Sequence, residues 1–198
     1  MFRKVLMLCV IVVPSLCTAQ ESSKADISIN VNGLFPVHSD NGGQAESASA
    51  SAGALLSFRY SPARFVAFEF NYGHARDTRY FTSAGVESAV HTGVHEVTGA
   101  YVLNLPFEIS RLQLFALVGA GVLQFNPISN GTSISGAQSQ TRPAVLWGMG
   151  VNYNVSRHFA MRLQYRGLFY GGPDFSVASL KGKWQPMSQP SFGIVYRF

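Results

Sequence analysis

The sequence predicts an all-β chain, an eight-stranded antiparallel up-and-down transmembrane β-barrel preceded by a cleaved signal peptide. Three observations predict it: an apolar leader too short to cross a bilayer, eight stretches in which every second residue is aliphatic or aromatic, and connections between them that alternate long and short without exception.

The leader comes first. Met1-Phe2-Arg3-Lys4 gives a basic start, Val5 to Val13 is an apolar run, and Pro14, Ser15, Cys17, Thr18 and Ala19 end it in small residues. That is the order of a secretory signal, and its nine apolar residues fall far short of the roughly 20 a membrane helix needs. Residues 1–19 are expected to be removed, leaving 20–198 as one domain. Lipidation at Cys17 is disfavoured because Leu16 stands where lipoprotein processing takes a small residue. Cys9 and Cys17 both lie in the leader, so the mature chain is expected to hold no disulfide and to draw its stability from burial or from lipid. Once Arg3 and Lys4 are gone, 13 basic residues face 10 acidic ones, too small an excess to point to nucleic acid. Only 13% of the chain is charged, about half of what soluble domains carry.

The strands follow in order. The first sets Ile27, Ile29, Val31, Gly33 and Phe35 against Ser28, Asn30 and Asn32. The second sets Leu56, Phe58 and Tyr60 against Ser57 and Arg59. The third has Val66, Phe68, Phe70 and Tyr72 opposed to Ala67, Glu69, Asn71 and Gly73, and the fourth has Val97, Gly99, Tyr101 and Leu103 opposed to Glu96, Thr98 and Ala100. The fifth, Arg111 to Phe125, is apolar on both parities; Leu112, Leu114, Ala116, Val118, Ala120 and Val122 are assigned outward, with Gly119 and Gly121 inward. The sixth alternates Val145, Trp147, Met149, Val151 and Tyr153 with Gly148, Gly150 and Asn152. The seventh alternates Phe159, Met161, Leu163 and Tyr165 with Arg162, Gln164 and Arg166. The eighth closes the chain with Phe192, Ile194, Tyr196 and Phe198 facing away from Gly193 and Arg197.

The connections are read as 37–52, 62–64, 77–90, 104–110, 126–142, 155–158 and 171–187, long and short by turns. The long ones have loop chemistry, such as Asp40-Asn41-Gly42-Gly43 and Asn130-Gly131-Thr132-Ser133. Outer-membrane barrels place short turns in the periplasm and long loops outside, and an even strand count puts both termini in the periplasm. A soluble lipocalin-like barrel would show the same alternation with its faces exchanged. Its outer surface would need ~25–35% charge, whereas the polar faces here hold mostly Gly, Ser, Asn, Ala and Thr. Aromatic rims fit two membrane interfaces: Tyr60, Phe65, Tyr153, Phe159 and Phe198 at one end, Phe35, Tyr72, Phe125 and Phe169 at the other.

The terminal Phe192-Gly193-Ile194-Val195-Tyr196-Arg197-Phe198 resembles the C-terminal signature of outer-membrane β-barrels, an alternating strand that ends on Phe. With the eight-strand pattern and runs such as Leu117-Val118-Gly119-Ala120-Gly121-Val122, nearly all of residues 25–198 looks like the OmpA/OmpX-like small barrel superfamily. The resemblance implies an integral protein of the Gram-negative outer membrane. It also implies that Phe192, Ile194, Tyr196 and Phe198 form the signal read by the barrel assembly machinery. It implies no single activity, since the superfamily spans anchors, adhesins, invasion and serum-resistance proteins and a few lipid enzymes. With the chain ending at Phe198, the anchoring role of a following peptidoglycan-binding domain is not expected.

The inward charges are the most readable candidate site. Parity sends Arg59, Glu69, Glu96, Arg162, Arg166 and Arg197 into the lumen. Depth counted from the short turns pairs Glu69 with Arg162 and Glu96 with Arg166, since unpaired charges in a closed interior are costly. The expected result is a structural polar plug, with a gated ion path as the alternative. His91 and His95 share an outward face near the outer rim, as His74 does; a metal pair and an interfacial role are both open, and interfacial placement is the expectation. Lipid A deacylases of the PagL type resemble small barrels and use a His/Ser/Glu set, but His158-Phe159-Ala160 lacks the serine and lies in a short turn. A PagP-like acyltransferase, whose site is assembled from loops, stays open as the alternative of a lipid-modifying outer-membrane enzyme. Gly148-Met149-Gly150 lies inside a strand with no following helix and is no nucleotide fingerprint. No enzyme, metal or cofactor is expected. Arg76, Arg79, Lys181 and Lys183, in or beside long loops, could meet lipopolysaccharide phosphates or serve solubility alone. The expected partners are outer-membrane lipids and lipopolysaccharide, the assembly machinery during insertion, and an extracellular partner reached through four long loops.

Overall fold

The structure, a computed structural model, describes residues 24–36, 39–41, 44–48, 50–83, 86–128, 138–173 and 184–198. Ten strands are present: β1 (Ala25–Pro36), β2 (Ser39–Asn41), β3 (Gln44–Ala48), β4 (Ser51–Ala63), β5 (Val66–Ser83), β6 (Val86–Ile109), β7 (Leu112–Pro127), β8 (Gln140–Asn154), β9 (Phe159–Gly171) and β10 (Trp184–Arg197). Eight of them, β1 and β4 to β10, pair antiparallel with their neighbours, and β1 closes the ring against both β4 and β10. No helix among the described residues is long and apolar enough to cross a membrane, which says nothing against strands.

The register fixes the shape. Paired residues lead around the ring from Asp26 to Arg59, Glu69, Ala100, Gly119, Leu146, Leu168 and Met187, and return to β1 at Pro36, ten residues along from the start. With about 3.3 Å of rise per residue and about 4.7 Å between strands, that stagger tilts the strands by about 41° and gives a backbone radius of about 8 Å. A tube this narrow is filled by its own side chains.

The predicted parities hold in all eight strands. Ile29 and Val31 in β1, Phe70 in β5, Val118 in β7, Met149 in β8, Leu163 in β9 and Ile194 in β10 stand exposed, while Ser28, Asn30, Ser57, Glu69, Arg162, Gln164 and Arg166 are buried. The fifth stretch takes the predicted phase, with Val118 and Val122 outward and Gly119 and Gly121 on the inward parity. An exposed belt of Phe, Tyr, Trp, Leu, Ile and Val has no stable place in water and marks the lipid-facing surface.

Two expectations are corrected. Phe125, assigned to an aromatic rim, has the inward parity of β7 and is 1% exposed inside the barrel, where its ring meets Tyr170 at 5.8 Å. The connections are also shorter than the alternation implied. β5 and β6 stay paired to Ser83 and Val86 across most of 77–90, and β6 continues through 104–109 with an irregularity between Asn104 and Glu108. The first long connection contains β2 and β3, with β3 laid against the end of β5. Beyond the apolar belt no alternation is needed to hold a ladder, so β2, β3 and the far part of the β5–β6 hairpin carry no period-2 signal. At the opposite end the β6–β7 turn is tight, and Ser110 takes φ 61°, the left-handed conformation that the first central residue of a two-residue hairpin adopts. Residues 1–23, 129–137 and 174–183, including the leader, the Asn130–Ser133 segment, Lys181 and Lys183, lie outside the described residues, and Arg79 has no described side chain.

Candidate functional site

Among the described residues two ion-pair clusters lie in the lumen at different depths. Nearest the chain termini, Glu69 of β5 accepts hydrogen bonds from Arg59 Nε of β4 at 2.8 Å and from Arg162 Nη1 of β9 at 3.4 Å. Arg162 also donates to Asp26 Oδ1 at 3.1 Å, Asn152 Oδ1 at 2.9 Å and Ser28 Oγ at 3.2 Å. Both guanidiniums sit over the Phe115 ring, 4.2 Å and 5.6 Å from its centroid, a cation–π arrangement in a dry setting. Phe115 fits because Gly150 faces it across the β7–β8 pair; a Cβ on Gly150 would collide with the ring.

The second cluster lies further along the tube. Arg166 Nη2 pairs with Glu96 Oε1 and donates to Thr98 Oγ1 at 3.0 Å, Thr98 Oγ1 donates to Glu96 Oε1 at 3.0 Å, and Gln189 Nε2 donates to Glu96 Oε2 at 3.0 Å. Across both clusters three carboxylates, Asp26, Glu69 and Glu96, face three guanidiniums, Arg59, Arg162 and Arg166. The charges therefore cancel inside a barrel that could not carry them unpaired.

The structure thus brings Glu69 to Arg162 and Glu96 to Arg166 at the depths counted from the sequence. Arg197 is placed at the terminal mouth, partly buried, in register with Asp26. Asp26 was missed, although its parity matches Ser28 and Asn30, two and four residues on. The interior is also not polar throughout. Past the second cluster, Leu34, Leu123, Phe125, Tyr170 and Met187 belong to the buried apolar core. Where the two zones meet, beside Glu96 and Gln189, a cavity of about 10 Å³ remains, room for one water.

Outside the barrel, His74, His91 and His95 lie on the outward face of the β5–β6 pair, at the end away from the termini. His91 Nδ1 is 2.9 Å from Thr78 Oγ1 and His95 Nδ1 is 2.9 Å from Tyr72 Oη. Among the described residues no group of three or more His, Cys, Asp or Glu converges as a metal cage would. His158 sits in the exposed turn before β9, its ring 6.3 Å from that of Tyr196. The terminal Phe192, Ile194, Tyr196 and Phe198 are all exposed on the lipid-facing side.

Comparisons with known proteins agree with this architecture. The family model described as the OmpA-like transmembrane domain matches residues 22–198. Among solved structures, Neisserial surface protein A aligns with a TM-score of 0.62 at 13% identity, covering 89% of this chain and 98% of that one. The outer membrane protein OprG from Pseudomonas aeruginosa gives 0.60 at 12% identity, with 89% and 97% covered. Ail, the attachment invasion locus protein of Yersinia pestis, solved in complex with the heparin analogue sucrose octasulfate, gives 0.55 at 17% identity, with 88% and 97% covered. At these identities the likeness is one of fold. No curated protein matches the sequence.

Proposed function

The chain belongs to the OmpA-like transmembrane domain family and is an integral outer-membrane β-barrel, and from that premise we propose that it is a non-enzymatic surface protein. Its lumen is closed by its own side chains, and its long connections meet partners outside the cell. The observation that carries this reading is the asymmetry of the strands. β5 and β6 remain paired to Ser83 and Val86, about 27 Å beyond Tyr72 along the barrel axis at the strand rise and tilt given above, while the other end closes in turns as short as Ser110-Arg111. A paired hairpin of that height, with β3 against its flank, is a platform for contact with lipopolysaccharide headgroups or an extracellular protein. On this reading both termini are periplasmic and the terminal strand β10 is the segment recognised during assembly.

The ion-pair clusters and the apolar group beyond them support a structural filling of the lumen over an ion path. Two measurements test the proposal. Planar bilayers containing the purified protein are expected to show no discrete conductance steps; regular steps would replace the closed lumen with a pore. Protease added to intact cells is expected to cut within residues 77–90 and spare 155–158, and the reverse pattern would invert the orientation.

A further inference from the structure

His91 and His95 share a face in the sequence, but the hairpin register joins a different pair. His74 of β5 lies directly opposite His95 of β6, and their rings meet at 4.6 Å between centroids with a 41° tilt. His91 lies four residues along β6, roughly 13 Å away at the strand rise, opposite Thr78. The paired rings are on the outer surface, His74 exposed and His95 partly so. Tyr72 Oη holds His95 Nδ1 at 2.9 Å; when Nδ1 carries the proton and donates it to the phenol oxygen, the Nε2 lone pair is free to bind. An outer partner on one ring nitrogen is the usual support of a metal-ligating histidine. Gly93, the next outward residue of β6 beyond His95, keeps the neighbourhood clear, since even a Cβ there would stay 4.0 Å from His74 Cε1.

We propose that His74 and His95 form a two-imidazole site for a divalent transition metal ion, Zn²⁺, Ni²⁺ or Cu²⁺, on the outward face of the barrel at the end of the long connections. Imidazole nitrogen suits these ions, and side chains directly opposite on neighbouring strands are close enough for both to reach one ion at about 2.0–2.1 Å. The remaining positions are left to water or to an oxygen ligand from the surroundings. Arg76, two residues beyond His74 on the same exposed face, is a fixed cation that works against a bound metal and would work for a bound anion. That opposition separates the two kinds of ligand.

The test uses the tag-free mature chain folded in detergent micelles at pH 7.5, with folding of every variant verified by heat-modifiable migration. Zn²⁺ titration by calorimetry and Cu²⁺ binding by electron paramagnetic resonance are expected to give one ion per chain with two nitrogen ligands. His74→Ala and His95→Ala are each expected to weaken binding at least tenfold, Tyr72→Phe about tenfold, and His91→Ala not at all, while Arg76→Gln strengthens it. No binding to the folded wild-type chain overturns the proposal, and so does binding that survives in both His74→Ala and His95→Ala. Saturable binding of inorganic phosphate that Arg76→Gln abolishes, without metal binding, overturns it in favour of an anion site.

Discussion

Glu69→Ala is the sharpest perturbation of the lumen. Glu69 is fully buried and shared by Arg59 and Arg162, so its removal leaves two guanidiniums over one phenyl ring without the carboxylate that held them together. Removing one partner of a buried pair costs about 3–5 kcal/mol, against a total stability of about 5–15 kcal/mol for a typical domain. Two features place the expected loss near the lower bound, at about 3 kcal/mol. Arg162 keeps Asp26, Asn152 and Ser28. The amides of Asn71 and Gln164 make no hydrogen bond within the protein, and water that serves them would also screen the arginines. Glu69→Gln keeps an acceptor without the charge and should lose less. Glu96→Ala should lose about 3–5 kcal/mol, because Arg166 keeps only Thr98 Oγ1 and Gln189 Nε2 loses its acceptor. Urea unfolding in micelles, followed through the fluorescence of Trp147 and Trp184, gives the numbers, and a Glu69→Ala/Arg59→Leu cycle isolates the pair. A folded Glu69→Ala protein within about 0.5 kcal/mol of wild type would refute a cluster held by buried ion pairs.

Phe70, 62% exposed on the belt, should tolerate Ala at the cost of its transfer into lipid, whereas Phe70→Arg should cost roughly 2–4 kcal/mol; a harmless Phe70→Arg beside an Asn71→Leu that cannot fold would exchange the two faces. Gly119→Ala would drive a Cβ into the backbone carbonyl of Gly99 and should cost about 1–3 kcal/mol by the same urea assay. Gly99→Ala, whose Cβ would meet only the Phe70 ring at 3.9 Å, should be nearly neutral. Deleting Phe198 should leave export intact and lower the fraction of heat-modifiable protein in the outer membrane; normal assembly of the deletion would remove the terminal strand's signalling role.

The membrane-spanning parts of the strands were legible because lipid on one side and a narrow lumen on the other impose a period of two on every residue between the rims. Where that constraint ends, legibility ends with it. Asp77 and Thr78 continue β5, with Asp77 still buried on the inward side, but read as loop because polar residues occupy both faces there. The lumen was harder to read for a different reason. By sequence the inward faces hold mostly Gly, Ser, Asn, Ala and Thr, yet Phe115 and Phe125 are inside the tube. The glycines make the room, since a bulky residue fits where a neighbouring strand offers none, as Gly150 does for Phe115. Depth alone matched Glu69 to Arg162 and Glu96 to Arg166, and Arg59 faces Glu69 across the β4–β5 hairpin, whereas Asp26 reaches Arg162 only through the closed register. The His74–His95 pair was hidden likewise, because the β5–β6 register is set by a hairpin whose length the loop-like composition disguised.

Stacking the two halves of the lumen is what argues for a surface role over a conducting one. An ion entering from the terminal end would have to displace the Arg59–Glu69–Arg162 contacts and then pass the Arg166–Glu96 pair. Exchange of partners among charges could in principle ease both steps, because one ionic contact can replace another. Beyond them, however, Leu34, Leu123, Phe125, Tyr170 and Met187 fill the tube, and such a constriction has no charge to exchange. A bare ion there loses its hydration and gains nothing, a penalty of several kcal/mol even after relaxation. Substituting Leu123 and Met187 together by Ser would place hydroxyls at that constriction. If the apolar group is the barrier, conductance should appear in this double variant and stay absent in Glu96→Ala; steps in Glu96→Ala alone would move the barrier to the ion pair.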